Sequence, residues 1–231
     1  MYKYLKRFFD ILFSLIAIII LLPVFIPVII ILLLTGEHEV FYQQDRVGYK
    51  NSIFGIWKFA TMLKNSPNMG SKDLTVRNDP RVTPFGRFLR KSKINELPQL
   101  INILTGDMSF TGPRPLMKSG FDRYSDEIKS KVYNVKPGLT GIGSIIFRDE
   151  ELIITKSHLS PEDCYRHVIL PQKGAVEVWY QQHLSFYTDI MILFLTGWYI
   201  VFPKSNLLYK VFPSLPKSDF SLYEQPLTIN Q

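Results

Sequence analysis

Residue types suited to phosphate and metal chemistry are concentrated in residues 90–115 of this 231-residue chain. Arg90 precedes the pair Asn95-Glu96, and Arg114 follows within a Gly-Pro-Arg-Pro sequence. A guanidinium group can contact two phosphate oxygens at once. A glutamate carboxylate is the kind of hard oxygen ligand that Mg²⁺ prefers. The stretch therefore predicts a site for a phosphorylated substrate with a bound metal ion.

Helical elements are expected to position these side chains. Thr83-Pro84 has the residue types of a helix start, which predicts a short helix leading to Arg90. A second helix is predicted to begin at or just before Asn95, with Pro98 tolerated in its first turn and its N–H groups free for phosphate. Asn95 would also suit the N-cap of that helix, a role compatible with a place in the site. The apolar spacing that predicts this helix is that of Leu97, Leu100, Ile101 and Leu104.

The N-terminal segment predicts a membrane anchor. Residues 11–34 carry no charge, and as a helix they would reach ~36 Å, enough for a hydrocarbon core of ~30 Å. No signal-peptidase site of the Ala-x-Ala type follows, so we expect the segment to remain in the mature protein. Pro23 and Pro27 each remove a helix hydrogen bond and favour a bend. A helix that bends and returns to one face is one reading, and a spanning helix with a proline kink is the other.

The remaining chain is predicted to form a small polar domain. Residues 40–59 have the pattern of a β-hairpin around Gly48, and residues 64–80 are loop-like. The apolar run at 184–202 suits a helix at the membrane interface, although a core helix or a span would have similar composition. The expected fold class is mainly α with a short β-hairpin (α+β), with a proline-broken membrane helix and interfacial amphipathic helices.

The overall charge points to an anionic partner. The chain has a net charge of +7. It has a single cysteine, which excludes an internal disulfide. No nucleic-acid-binding motif is recognisable, and a basic surface at an anionic membrane accounts for the charge. We therefore expect membrane lipids as partners and no nucleic acid.

An ordered series of motifs resembles the bacterial sugar transferases, the monotopic polyprenyl-phosphate phosphoglycosyl transferases. The resemblance covers roughly residues 1–200, together with the proline-broken N-terminal helix, and the order of the pieces makes it specific. The pieces are Gln44-x-Arg46-x-Gly48, Lys58-Phe59-x-Thr61-Met62, Asp79-Pro80-Arg81-Val82-Thr83-x-x-Gly86-Arg87-x-x-Arg90, Glu96-Leu97-Pro98-Gln99-Leu100, Gly106-Asp107-Met108-Ser109-Phe110-x-Gly112-Pro113-Arg114-Pro115 and Lys136-Pro137-Gly138-Leu139-Thr140-Gly141.

The resemblance implies transfer of a sugar-1-phosphate from a UDP-sugar to polyprenyl (undecaprenyl) phosphate, with release of UMP, as the first membrane step of glycan assembly. It implies Mg²⁺ as cofactor, Glu96 as a metal ligand, and Lys58, Arg90 and Arg114 as phosphate-binding residues. It also implies a location at the cytoplasmic face of the bacterial inner membrane, with the anchor broken near Pro23. The oligomeric state is left open, with a dimer among the alternatives.

Asn95 departs from the family pattern, because the family has a nucleophilic Asp at this position. An amide oxygen carries no negative charge and is a poor nucleophile. Asn95 could inactivate an otherwise intact site, Glu96 or direct attack by the lipid phosphate could supply another route, or the protein could bind without turnover. The leading hypothesis is a phosphoglycosyl transferase with Asn95 and Glu96 at its catalytic centre. The alternative is a non-catalytic membrane scaffold or regulator that binds nucleotide sugar or polyprenyl phosphate.

Three segments follow from these expectations. Residues 1–36 form the membrane anchor, residues 37–205 the sugar transferase domain with its interfacial helices, and residues 206–231 a C-terminal tail.

Overall fold

The computed structural model describes residues 1–66, 69 and 79–217. Most of the predicted loop at 64–80 and residues 218–231 of the predicted tail lie outside the described residues. The chain divides into two compact units. One, here called the anchor unit, comprises Lys3–Asp45 and Phe54–Met108, and the other, the helical unit, comprises Met1–Tyr2, Arg46–Ile53 and Ser109–Gln231.

The predicted membrane helix is present as α1 (Tyr2–Leu34), which has 33 residues and carries Pro23 and Pro27 inside its range. Among the described residues it is the one helix long and apolar enough to cross a membrane. Only 17% of its most apolar stretch of 18 residues is buried. At ~1.5 Å per residue, α1 is ~50 Å long. Pro23 lies on its exposed side. The predicted bend at Pro23 stays a prediction.

The C-terminal part of α1 packs into the core of the anchor unit. Phe25, Val28 and Leu32 recur at helical spacing and are buried against Phe59 and Leu89. The remaining apolar contacts in this cluster come from Leu21, Val24, Ile29, Val40, Phe85, Ile94 and Leu97. The core of the anchor unit is thus built directly onto α1.

The predicted hairpin is confirmed: β1 (Phe41–Val47) and β2 (Ile53–Phe59) form a two-stranded sheet.

The predicted helix at Thr83-Pro84 is confirmed as α2 (Pro84–Lys91), where the Thr83 side chain accepts a hydrogen bond from the Gly86 N–H. Gly86 is required by space, because a Cβ there would lie 2.2 Å from the Thr61 carbonyl oxygen.

The predicted helix start at Asn95 is wrong. Residues Ile94–Glu96 form a 3₁₀ turn, and α3 (Gln99–Thr105) begins after Pro98. Pro98 has no N–H to donate to the Ile94 carbonyl, so the α-helical ladder cannot extend back through this point. The Leu97 N–H bonds that carbonyl instead, which closes the tighter turn. Asn95 is therefore not an N-cap, and the predicted phosphate site at a helix N-terminus next to it is not formed.

The helical unit contains a second, parallel pair of strands, β3 (Ser109–Thr111) and β4 (Gly138–Thr140), which the sequence did not predict. The connection between them carries α4 (Lys118–Phe121) and α5 (Asp126–Lys129). Beyond β4 lie α6 (Ile142–Ile146), α7 (Glu150–Lys156) and α8 (Pro161–Cys164). A π-helical turn, Tyr165–Ile169, joins α8 to α9 (Leu170–Gln182), and α10 (Phe186–Val201) and α11 (Leu207–Val211) follow.

The apolar run at 184–202 forms α10, which has two distinct faces. Ile192 and Leu195 are fully buried in the core of the helical unit, whereas Phe194 and Ile200 are exposed. Asp189 is a buried charged residue in this apolar helix. Its carboxylate is stabilised by hydrogen bonds from the hydroxyls of Tyr2 at 2.6 Å and Tyr180 at 2.7 Å. The helix is mainly a core element that also presents an apolar face, as an interfacial helix would.

Candidate functional site

Asn95 lies in the 3₁₀ turn between α2 and α3, and its side chain is held in an unusual state. The turn begins at Lys93, whose φ of 61° is in the left-handed region. Asn95 is only 8% exposed, and within the described part of the chain its Oδ1 is buried without a hydrogen-bond partner. A buried carbonyl oxygen that accepts nothing is costly, by about 1–3 kcal/mol. Such an oxygen suits a donor or a cation supplied from outside the protein.

Arg90 and Glu96 are close enough to interact. Arg90 lies in the last turn of α2 and is partly buried, and Glu96 ends the 3₁₀ turn. Burial lowers the pKa of the Arg90 guanidinium, while the carboxylates of Asp79 and Glu96 raise it and Arg81 lowers it further. A guanidinium stays cationic in such surroundings. The arrangement places a partly desolvated positive charge beside the Asn95-Glu96 pair.

Lys58 comes from β2 and donates a hydrogen bond to Gln44 Oε1 on β1 at 3.3 Å. Its strand is fixed to α3 by Asn102, whose Oδ1 accepts from the Trp57 N–H at 2.9 Å and whose Nδ2 donates to the Gly55 carbonyl at 2.9 Å. Four predicted site residues, Lys58, Arg90, Asn95 and Glu96, thus belong to the anchor unit.

Arg114, the fifth, belongs to the helical unit. Its side chain is exposed, although Pro113 and Pro115 on either side of it are buried. The backbone of this turn is tied by the Arg114 carbonyl, which accepts from the Tyr133 hydroxyl at 2.8 Å, and by the Pro113 carbonyl, which accepts from the Gly138 N–H at 2.9 Å. These hydrogen bonds restrain the backbone of the turn that carries the exposed Arg114.

Comparison with known proteins identifies the family of this chain. The family model described as bacterial sugar transferase matches residues 1–203. The chain belongs to this family. Similar proteins include the undecaprenyl-phosphate galactose phosphotransferase of Salmonella typhimurium, which is 32% identical over 209 residues, 84% of this chain and 40% of that protein. The exopolysaccharide production protein ExoY of Sinorhizobium fredii is 32% identical over 205 residues, 83% of each chain.

A third relative of this chain is a UDP-N-acetylgalactosamine-undecaprenyl-phosphate N-acetylgalactosaminephosphotransferase of Aeromonas hydrophila. It is 37% identical over 147 residues, which make up 63% of this chain and 34% of that protein. The chain therefore spans well under half the length of the Salmonella and Aeromonas proteins and most of the length of the Sinorhizobium protein. The sugars in the printed names differ between relatives.

Sequence reasoning missed three residues that help to organise the candidate site. Asn102 had no motif role, and its two long-range bonds to backbone groups leave no pattern in the sequence. Asp79 and Arg81 were noted only as family motif residues. They form a buried ion pair at 2.7 Å, and Arg81 also donates to the Met69 carbonyl at 2.8 Å. The Asp79-Pro80-Arg81 spacing was the available signal, since a buried pair of charges must be mutually satisfied.

Arg7 is a further supporting residue that the sequence did not reveal. Its guanidinium donates to the carbonyl oxygens of Ile103 at 2.6 Å and Leu104 at 2.7 Å. These carbonyls belong to the last turn of α3, where no intrahelical donor is available. A cation at a helix C-terminus is also electrostatically favourable. Arg7 therefore fixes α3, which follows the Asn95-Glu96 turn after two intervening residues, to α1.

Proposed function

We propose that this protein transfers a sugar-1-phosphate from a UDP-sugar to polyprenyl phosphate and releases UMP. Family membership supports this, as do the names of relatives that act on undecaprenyl phosphate. The observation that carries the proposal is the buried Oδ1 of Asn95, which has no hydrogen-bond partner in the part of the chain that the structure describes, beside Glu96 and the partly buried cation Arg90. Phosphoryl transfer depends mainly on positioning and charge neutralisation, which is what these groups can supply.

The donor set fits Mg²⁺. Asn95 Oδ1 and the Glu96 carboxylate are hard oxygen donors, and the described residues contain no larger group of His, Cys, Asp and Glu that could hold a metal ion. Mg²⁺ commonly takes only one or two protein groups and completes its shell with water and substrate phosphates. When bound, the ion would neutralise charge on the diphosphate oxygens. Glu96 and Asn95 would hold it.

The absence of a nucleophilic carboxylate at position 95 favours direct transfer. In this route an ionised oxygen of polyprenyl phosphate attacks the β-phosphorus of the UDP-sugar and forms the new P–O bond. The bond from that phosphorus to the α–β bridging oxygen breaks, and UMP leaves with that oxygen and the bonding electrons. No side chain has to accept a proton, because the attacking oxygen is already ionised. Lys58, Arg90 and Arg114 are proposed to bind the phosphates of the two substrates.

A second candidate function is a membrane-bound protein that binds nucleotide sugar or polyprenyl phosphate without turnover. Asn95 is the observation that favours it, since an amide in place of a carboxylate removes the family's covalent route and leaves the binding groups in place.

We also propose that α1 anchors the protein from one face, the cytoplasmic face of the bacterial inner membrane, with a bend at Pro23. The ends of a spanning helix lie on opposite sides of a hydrocarbon core of ~30 Å. In the anchor unit, however, Arg7 bonds α3 while Phe25 to Leu32 pack against Phe59 and Leu89. Contacts of one polar unit with both parts of α1 support a helix whose two parts face the same side. The exposed apolar face of α10 supports an interfacial position for that helix.

One experiment tests the function. Purified protein and an Asn95→Asp variant are incubated with UDP-galactose, UDP-glucose or UDP-N-acetylgalactosamine, with Mg²⁺, and with and without undecaprenyl phosphate. UMP release, the lipid product and the intact protein mass are measured. We expect the parent to release UMP only when the lipid is present and to show no adduct, and the Asp variant to gain a phosphosugar adduct. Glu96→Gln in the parent should abolish UMP release.

Other outcomes are decisive as well. Saturable binding of a UDP-sugar with no UMP from the parent would establish the binding function and defeat turnover. Release of UMP by the parent without lipid would contradict direct transfer. If neither protein releases UMP with any of the sugars, the transferase proposal fails for these substrates.

A further inference from the structure

A carboxylate buried in the helical unit takes no part in the proposed chemistry. Glu177 lies in the middle of α9 and is 5% exposed. It accepts a hydrogen bond from the backbone N–H of Arg114. Its Oε2 is without a hydrogen-bond partner among the described residues, so Oε1 is the acceptor. The buried carboxylate therefore binds the backbone of Arg114, a predicted phosphate-binding residue.

The packing around Glu177 leaves it little freedom. Gly143 of α6 lies directly against it, because a Cβ at that position would approach Oε1 to 2.3 Å. A side chain at residue 143 would push the carboxylate out of place. The small residue and the buried acid are therefore matched across the α6–α9 contact.

The turn that carries Arg114 is held on every side by hydrogen bonds. The Gly112 N–H donates to Thr140 at 3.0 Å, and the Pro113 carbonyl accepts from Gly138 at 2.9 Å. The Arg114 carbonyl accepts from the Tyr133 hydroxyl at 2.8 Å, and this hydroxyl in turn accepts from the Leu116 N–H at 2.9 Å. The remaining N–H group of the turn is that of Arg114, and it donates to Glu177. Two flanking prolines remove other donors and restrict the backbone.

We propose that Glu177 is a positioning residue that holds the Arg114 backbone so that its guanidinium is presented to a substrate phosphate. The inference rests on the proposed function for its phosphate ligand, but the contact itself can be tested without turnover. An ionised carboxylate accepts a stronger hydrogen bond than a protonated one. The hold on Arg114 should therefore weaken when Glu177 takes up a proton.

The surroundings of Glu177 place that proton uptake near neutral pH. Burial raises the pKa of Glu177 to about 7, while Lys173 and the Arg114 N–H oppose the rise. Among the described residues, Tyr124 and Tyr133 also interact with Glu177, and burial raises the pKa of both, so they stay neutral from pH 6 to 8. Lys173, on the same helix, is paired with Glu150. Glu177 is thus the group of this set whose protonation changes over that range.

Hydrogen–deuterium exchange tests the contact directly. Residues 113 and 115 are prolines, and the first residue of a peptide carries an amine, so a peptide covering 112–116 reports only the amides of Arg114 and Leu116. Exchange rates corrected for the intrinsic effect of pH are measured at pH 6 and pH 8. We expect the Arg114 amide to be about fivefold less protected at pH 6, the factor for replacing a charge-assisted hydrogen bond by a neutral one. In Glu177→Gln, which keeps the acceptor and loses the charge, protection should not depend on pH.

A second readout follows the substrate. For the parent, the KM for the UDP-sugar, or its Kd if turnover is absent, should rise about fivefold from pH 8 to pH 6 with kcat little changed. Glu177→Gln should remove this dependence, and the matched exposed variant Glu127→Gln should retain it. Equal pH dependence of Arg114 protection in the parent and in Glu177→Gln would overturn the proposal. So would a pH-independent amide in the parent, which can be measured even if the Gln variant fails to fold.

Loss of the contact and loss of the function are distinguishable. A pH-dependent Arg114 amide in a protein that binds no UDP-sugar would establish the contact and defeat the phosphate role of Arg114.

Discussion

The guanidinium of Arg7 donates a hydrogen bond to the carbonyl oxygen of Ile103 at 2.6 Å. This bond joins the N-terminal part of α1 to α3, the helix that follows the Asn95-Glu96 turn. The anchor is therefore part of the structure that supports the candidate site, and changes in the anchor should be felt there.

Replacing Arg7 by Met should lower the free energy of unfolding by about 2 kcal/mol, because two hydrogen bonds from a charged donor to helix-terminal carbonyls are lost. It should also reduce UMP release or UDP-sugar binding, since α3 loses its fixed position. Thermal unfolding in detergent or nanodiscs measures the first effect. Lys3→Met, at an exposed position on the same helix, is the control and should leave stability nearly unchanged. Equal effects of the two variants would show that the Arg7 contact contributes nothing specific.

Cysteine labelling should place the N-terminus of α1 and the polar part of the anchor unit on the same side of the membrane. Cys164 is fully buried, so the native protein serves as the unlabelled control. Single cysteines are introduced at the exposed positions Lys3 and Lys91. With a membrane-impermeant thiol reagent, neither should react in intact cells and both should react after the inner membrane is permeabilised. A spanning α1 would instead leave one of the two reactive in intact cells.

Gly86→Ala should destabilise the protein by about 1–3 kcal/mol, because the new methyl group overlaps the Thr61 backbone and the helix must shift. The added Cβ would lie 2.2 Å from the Thr61 carbonyl oxygen. Because α2 carries Arg90, activity or binding should fall as well. Gly197→Ala is the matched control: a Cβ there meets nothing within 4 Å, and the change should be neutral or stabilising by up to about 1 kcal/mol. A stable Gly86→Ala protein would show that α2 can move away from Thr61.

Glu177 should make stability depend on pH. Burial raises its pKa from 4.5 to about 7, so the folded protein binds the proton more tightly than the unfolded chain. Its contribution is fully present below pH 4.5 and is lost as the pH rises through about 7. The free energy of unfolding should fall by about 3 kcal/mol between these limits on account of this group. Denaturation at pH 5 and pH 8 should reveal a smaller difference for Glu177→Gln than for the parent or for Glu127→Gln. An unchanged difference would mean that Glu177 titrates normally.

Local features were predictable from the sequence because their causes are local. The α2 start at Thr83-Pro84, the hairpin around Gly48 and the apolar anchor each follow from a few neighbouring residues. The family and the residue types of the site were equally readable, because the motifs are contiguous and occur in order. The predicted helix start at Asn95 was wrong, although its cause is also local. Pro98 has no N–H to donate to the Ile94 carbonyl, so the α-helix cannot include that residue.

The sequence alone determined which residues carry charge and oxygen donors, and that a carboxylate is missing at position 95. Only the tertiary structure decided that Asn95 Oδ1 is buried without a partner among the described residues, that Arg7 bonds a carbonyl 96 residues away, and that Glu177 accepts from the Arg114 backbone. These are side-chain contacts with backbone groups distant in the chain. Every residue except proline offers the same N–H and every residue the same C=O, so such contacts leave no signature in residue type or periodicity.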